Sequence, residues 1–316
     1  MARDSFGTIG VLMGGYSSER EISLRSGQAV AEALSREGHR VLPLDITAED
    51  TAGIIQQVTA IPLDIAFIAL HGRLGEDGVI QGILEKLDIP YTGSGVKASQ
   101  VAFNKILTQK LLASAGLPVA VNFFITDGKN VDFNTVRAHI KSTPLVVKPA
   151  CEGSSIGVHI VRHPSEWEPA FKNALSYGPY IIVEQFIKGR EFTAGIFDGE
   201  ALPLVEICPK SNFFSFSAKY QKGETRYICP AHIPENLTVK IKELSVAAVE
   251  ALGCEGFARV DLRVDDIQEP FILEVNTIPG FTGTSLFPKA AREAGYSFVQ
   301  VCEKLLDLAY GKKIQR

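Results

Sequence analysis

An α/β fold built from more than one domain is what the sequence predicts, and three observations carry that prediction. Short apolar runs alternate with helix-periodic segments through about the first ninety residues, apolar runs of strand length recur into the last third, and 316 residues exceed what a single core usually organises. Residues 8–13 are an apolar run leading into Gly14-Gly15, and residues 18–36 set Ile22, Leu24, Ala29, Val30 and Leu34 at helical spacing. Residues 41–44 and 65–70 add buried strands and residues 79–87 another helix, which together read as an N-terminal βαβ unit with a parallel sheet. The Gly-Gly turn lacks the G-x-G-x-x-G spacing of a dinucleotide-binding loop.

The stretch Pro90-Tyr-Thr-Gly-Ser-Gly95 is turn chemistry and marks a first linker. One long helix is expected over 98–115, carrying Lys105 and Lys110 and stopped by Gly116 and Pro118. Residues 144–148 read as a strand ending in Lys148, and Glu152-Gly-Ser-Ser-Ile-Gly157 as a loop before a strand at 158–161. Backbone N–H groups in such a loop can wrap phosphate oxygens while a lysine adds a point charge, although a hairpin turn reads the same way from composition. Residues 180–186 form a buried strand containing Glu184, followed by a hairpin of 191–196 and 201–207 through Asp198-Gly199. Residues 211–228 are polar and aromatic without a period, hold Lys219-Tyr220, and read as a lid. Helices at 237–252 and 297–308 complete the chain.

Composition excludes several classes. A net charge of -4 with scattered Lys and Arg leaves no footprint for nucleic acid. No apolar run reaches membrane-spanning length, and the first residues lack a basic segment with a cleavage site, so a cytoplasmic location is expected. Five well-separated cysteines offer neither a disulfide framework nor a zinc pair, and Cys151, inside the glycine-rich loop, is the one expected to be reactive.

The chemistry concentrates in FILEVNTIPGFTGTSLFP, residues 271–288, and in Arg259-Val-Asp261 upstream. In a strand, Glu274 and Asn276 project from one face, and Asp261 reaches the same place if its strand pairs with theirs. Two acids and an amide without Cys or His form a hard oxygen set suited to magnesium shared with phosphates. His71-Gly72-Arg73 and Gly75-Glu-Asp-Gly78 close a strand and open a helix, where open α/β sheets place ligands, although His71 alone is equally a satisfied strand-end histidine. Glu19 beside the Gly-Gly turn suits a helix N-terminus.

Seven strings in order, MGGYSSEREISLRSG, HGRLGEDGVIQG, PYTGSG, VVKPACEGSSIGV, KYQKGETRY, ARVDL and LEVNTIPGFTGTSLFP, resemble the D-alanine:D-alanine ligases of the ATP-grasp superfamily over nearly the whole chain. The resemblance implies a three-domain ATP-grasp fold with ATP between two antiparallel α+β domains: residues 1–93 as the substrate domain, 94–186 as a central domain with the phosphate flap, and 187–316 as a domain with lid and metal site. It implies ligation of two D-alanines through a D-alanyl phosphate for peptidoglycan synthesis, two magnesium ions with manganese as an alternative, and a homodimer.

Residue by residue, it implies Lys105 and Lys148 on the α- and β-phosphates, Lys219 on the transferred phosphoryl group, and Glu184, Ile187 and Glu191 around adenosine. Asp261, Glu274 and Asn276 match the magnesium ligands, while Arg259 and the Gly280 N–H match the oxyanion hole. Glu19, with His71 nearby, matches the site of the first ammonium group, and Ser285 and Leu286 that of the second carboxylate. Ser154 and Tyr220 match a pair linking flap and lid to Glu19. Relatives making D-alanyl-D-lactate carry Phe where Tyr220 stands, so a dipeptide is expected. Phe103-Asn104, Ala150-Cys151 and Phe281 depart from the usual Met-Asp, Ser-Arg and Met. A different ATP-grasp ligase would be expected to lack Glu19, Tyr220 and Ser285, and a non-catalytic nucleotide-binding regulator to lack a metal ligand or phosphate lysine.

Overall fold

The computed structural model describes residues 6–210 and 224–314. Strand β1 (Thr8–Gly14) is buried along its whole length, as an apolar run covered on both faces must be. It is the centre of a parallel sheet, β2-β1-β3, between β2 (Arg40–Ile46) and β3 (Ile65–Ile68). Helix α1 (Arg20–Arg36) turns Ser23, Ser26, Gly27, Val30, Ala31 and Leu34 inward, a stripe at helical spacing. Gly27 is required by packing, because a Cβ there would meet the Met13 Cβ at 2.5 Å. Helices α2 (Thr51–Thr59) and α3 (Val79–Lys86) complete this unit, α2 capped by Asp50.

The single helix expected over 98–115 is two, α4 (Val96–Phe103) and α5 (Lys105–Ser114). Asn104 leaves helical geometry at φ -91° and ψ 100°, and its side-chain oxygen accepts from the Ile106 and Leu107 N–H groups at 3.1 and 3.3 Å. An asparagine satisfying the first orphan donors starts a new helix as readily as it interrupts an old one. Lys105 therefore stands at a helix start.

A four-stranded antiparallel sheet of order β4-β7-β5-β6 follows: β4 (Asn122–Ile125), β5 (Leu145–Pro149), β6 (His159–Val161) and β7 (Ile181–Gln185). Helices α6 (Phe133–Ile140) and α7 (Trp167–Leu175) cover one face, and Val136, Trp167, Phe171, Leu145, Val147 and Val183 make its separate core. The 152–157 loop is the connection between paired β5 and β6.

The third sheet is antiparallel, β11-β10-β8-β12-β13 with β9 on β8: β8 (Gly189–Phe197), β9 (Glu200–Ala201), β10 (Val205–Pro209), β11 (Thr225–Ile228), β12 (Phe257–Asp265) and β13 (Pro270–Asn276). Helix α8 (Glu235–Ala251) lies on it together with α4 and α5, whose Ala98, Ala102 and Leu112 share a core with Phe192, Leu262 and Ile272. Gln109 on α5 donates to the Leu273 carbonyl at 3.0 Å.

Helices α9 (Leu286–Glu293) and α10 (Phe298–Ile314) return to the first sheet, with Val301, Leu305 and Leu306 in the core that holds Ile9 and Phe67. Phe281 sits in this seam, with ring centroids 5.6 Å from Phe67, 5.6 Å from Phe257 and 5.2 Å from Phe298. First and third layers thus bury one continuous set of side chains. Among the described residues no helix is long and apolar enough to cross a membrane.

Candidate active site

Strands β12 and β13 pair antiparallel with Asp261 opposite Glu274 and Arg259 opposite Asn276. The register then slips, since Leu262 faces Ile272 and Leu273 is the extra residue of a bulge. Alternation would send Leu273 and Glu274 to opposite faces, yet both line one cleft. Asp261 is 7% exposed. Its two carboxylate oxygens accept from Arg259 Nε and Nη2 at 2.9 and 2.8 Å, and Oδ2 also accepts from the Asn276 amide at 3.3 Å.

Two clefts open here. The first runs between the four-stranded sheet and the third sheet, lined by Lys105, Val146, Lys148, Glu184, Phe186, Ile187, Glu191, Arg263, Leu273, Glu274 and Asp261. Lys148 Nζ lies 2.7 Å from Glu184 Oε2, with both side chains under a tenth exposed, and Glu184 Oε1 is buried without a partner among the described residues. Lys105 donates to the Glu152 carbonyl at 2.5 Å and lies 3.5 Å from Glu274. Arg263 stacks over Phe186 at 4.9 Å, donates to the Gly189 carbonyl at 3.1 Å and lies 3.8 Å from Glu191. Burial lowers the Arg263 pKa, against the opposing pull of Glu191.

The second cleft, about 460 Å³ and within the usual range for small-molecule sites, is lined by Glu19, His71, Ser154, Arg259, Asn276, Gly280, Ser285 and Leu286. Asp261 and Glu274 border both clefts. Glu19 is the N-cap residue of α1, and Ser154 Oγ donates to its Oε1 across the mouth. Ser154 and Ser155 both hold left-handed backbone angles, φ 52° and 59°, which non-glycine residues adopt uncommonly. A Cβ on Gly153 would overlap the Glu19 carboxylate, so any larger residue there displaces that carboxylate. Ser285 accepts from the Thr282 N–H at 3.1 Å and caps no helix with its side chain. Lys219 and Tyr220 lie outside the described residues.

The Cys151 expectation is corrected by its surroundings. Burial raises the thiol pKa, and the lowering by Lys105 and Arg73 is smaller, so Cys151 is not an activated nucleophile. The sequence reading missed Arg263 and Leu273. Arg263 follows ARVDL directly, and an arginine alternating with Asp261 on one strand was the available signal; the bulge that turns Leu273 inward has none.

The donor set at Asp261, Glu274 and Asn276 fits a hard cation completed by phosphate oxygens. In this structure Arg259 engages both Asp261 oxygens, so a metal there would share the carboxylate with the guanidinium or displace it.

Two family profiles cover most of the chain: "D-ala D-ala ligase N-terminus" at residues 8–55 and 50–94, and "D-ala D-ala ligase C-terminus" at residues 111–307. A D-alanine--D-alanine ligase of Pelotomaculum thermopropionicum is 46% identical over 310 residues, covering 95% of this chain and 96% of that protein. The solved D-alanine--D-alanine ligase of Bacillus anthracis superposes with TM-score 0.87 at 33% identity, covering 98% of this chain and 99% of that one. The same ligase complexed with ATP gives TM-score 0.85 at 32% identity, with the same coverage. Fold and paired clefts define the class as an ATP-utilising ligase. Within that class, the chain belongs to the D-alanine–D-alanine ligase family.

Proposed function

We propose that the protein joins two D-alanines into D-alanyl-D-alanine for peptidoglycan synthesis, with ATP converted to ADP and phosphate. The observation that carries this reading is the meeting of a cleft lined by Lys105 and Lys148 and a polar small-molecule cleft at Asp261 and Glu274. A phosphoryl group leaving one cleft meets a carboxylate held in the other.

In the first step a carboxylate oxygen of D-alanine attacks the γ-phosphorus, and the bond to ADP breaks. Lys105 and Lys148 neutralise the α- and β-phosphates, Lys219 the transferred group, and Glu184, Ile187 and Glu191 hold adenosine. Asp261, Glu274 and Asn276 would hold two magnesium ions, or manganese, whose charge would offset that of the phosphates during the transfer. In the second step the amine of another D-alanine attacks the acyl phosphate carbon. Its C–N bond forms, the carbonyl electrons move to oxygen, phosphate then leaves, and the amine gives up its proton. Arg259 and the Gly280 N–H stabilise that oxygen. Glu19 with His71 takes the first ammonium, Ser285 and Leu286 the second carboxylate, and Ser154 with Tyr220 closes flap and lid over Glu19.

The proposal extends to a homodimer in the cytoplasm, to tyrosine at the lid selecting an amine nucleophile, and to units dividing near Gly93 and Phe186. Phosphate release from magnesium-ATP by purified protein tests it, with D-alanine, D-alanine plus D-lactate, L-alanine or no amino acid, and products weighed by mass spectrometry. Dependence on D-alanine with dialanine as sole product is expected. ATP binding without that dependence refutes it.

A further inference from the structure

Ser26 lies on the inner face of α1, fully buried, and is not among the residues assigned a role above. Its Oγ is 3.2 Å from the Phe281 N–H and 3.1 Å from His71 Nε2. His71, 3% exposed, lies with Nδ1 3.0 Å from the Ile278 carbonyl. A carbonyl only accepts, so Nδ1 carries a proton. Ser26 accepts from the Phe281 N–H and turns its own proton to Nε2. Glu76, 3.7 Å from Nδ1, is engaged by the Gly72 N–H. The two hydrogen bonds from the first layer therefore grip the loop at Ile278 and Phe281, on either side of Pro279-Gly280.

We infer that Ser26, acting with His71, is a positioning residue that fixes the direction of the Gly280 N–H. The inference rests on the proposed acyl-transfer role of that N–H. Gly280 needs such support because its own side supplies little: among the described residues a Cβ there would find only Ser285 within 4 Å. One turn earlier on α1, Ser23 Oγ accepts from the Gly14 N–H and donates to the Ala69 carbonyl, both at 2.8 Å. Ser23 ties the helix to its own sheet. Ser26 reaches past that sheet to the loop.

Because phosphoryl transfer does not build charge at Gly280 and acyl transfer does, a misdirected N–H slows only the second step. The experiment compares wild type, Ser26→Ala and Ser23→Ala for phosphate release, dialanine formation and trapping of the acyl phosphate by hydroxylamine as D-alanine hydroxamate. For Ser26→Ala, dialanine formation should fall about tenfold, less than the full loss of an oxyanion donor. Phosphate release should fall less, so that the two products are no longer one to one, and hydroxamate should rise. Ser23→Ala should lose stability while keeping the one-to-one ratio. Equal loss of phosphate and dialanine in Ser26→Ala means a structural role only, and unchanged rates mean none; either overturns the inference. Amide exchange separates it from the parent reading. The Phe281 N–H should exchange faster in Ser26→Ala while Val11 does not, and an unchanged Phe281 rate overturns the grip. If wild type makes no dialanine, the functional reading fails on its own.

Discussion

Replacing Lys148 by methionine isolates the buried pair with Glu184. At 2.7 Å the two charges attract by about 6 kcal/mol at an effective dielectric of about 20. Each ion, however, lost several kcal/mol of hydration on burial, so the pair is near break-even as a contributor to stability. Lys148→Met keeps most of the volume and leaves Glu184 charged, buried and alone, with Oε1 already unpartnered among the described residues. A loss of about 3–5 kcal/mol in urea denaturation is expected. Adding Glu184→Leu removes the orphaned charge, and the double variant should return to within about 1 kcal/mol of wild type. ATP at about a hundred times its Kd should protect wild type by about 2.7 kcal/mol and, on the proposed role of Lys148, both variants by much less. A double variant as unstable as the single one would refute the reasoning, since the cost would then belong to lysine packing.

Three further outcomes are expected. Gly153→Ala should lower kcat/KM for D-alanine about a hundredfold by displacing the Glu19 carboxylate, the size of effect about 1 Å of misplacement brings, with stability held within about 0.5 kcal/mol because only a flexible side-chain end must move. Asn104→Ala should cost about 1 kcal/mol, read as a fall of a few degrees in calorimetric Tm, by removing the acceptor at the start of α5. For Cys151, a raised thiol pKa means less thiolate at any given pH, so alkylation at pH 7.5 should be slower than that of a free cysteine and should climb with pH beyond the point where the free thiol has levelled off.

The parts of the site legible in the sequence were those fixed by local rules. Period-two spacing set Glu274 and Asn276 on one face, and antiparallel pairing then brought Asp261 opposite Glu274, as the conditional reading required. The connection at 152–157 was legible because a glycine-rich run stood between two apolar runs, and β5 and β6 pair on either side of it, as a flap and a plain hairpin both require. What escaped depended on partners distant in sequence. The bulge at Leu273 is a property of two strands together. The break at Asn104 escaped because apolar periodicity continues across it, while a capping side chain decides the backbone. Cys151 looked available because loops usually are, but its side chain is half-buried against the cluster of Ile106, Ala150 and Ile182. Ser26 carried no signal at all, since a serine on the inner stripe of an amphipathic helix reads as a small core residue until the loop that meets it, 255 positions away, is in place.

The Phe281 seam makes the first and third layers a single lever arm. Phe67 comes from the first sheet, Phe257 from the third and Phe298 from the last helix, and all three close on the side chain that follows Gly280. The four-stranded sheet keeps its own core and carries Lys148 and the 152–157 loop at its rim. Swinging that sheet away from α5 would uncover the small cluster of Ile106, Ala150 and Ile182, whereas opening the protein at the seam would empty a larger close-packed aromatic cluster. On the proposed function, the cleft at Lys148 can open at the smaller cost while the loop at Gly280 stays assembled, and core substitutions around Phe281 should be felt as lost catalysis well before they are felt as lost fold.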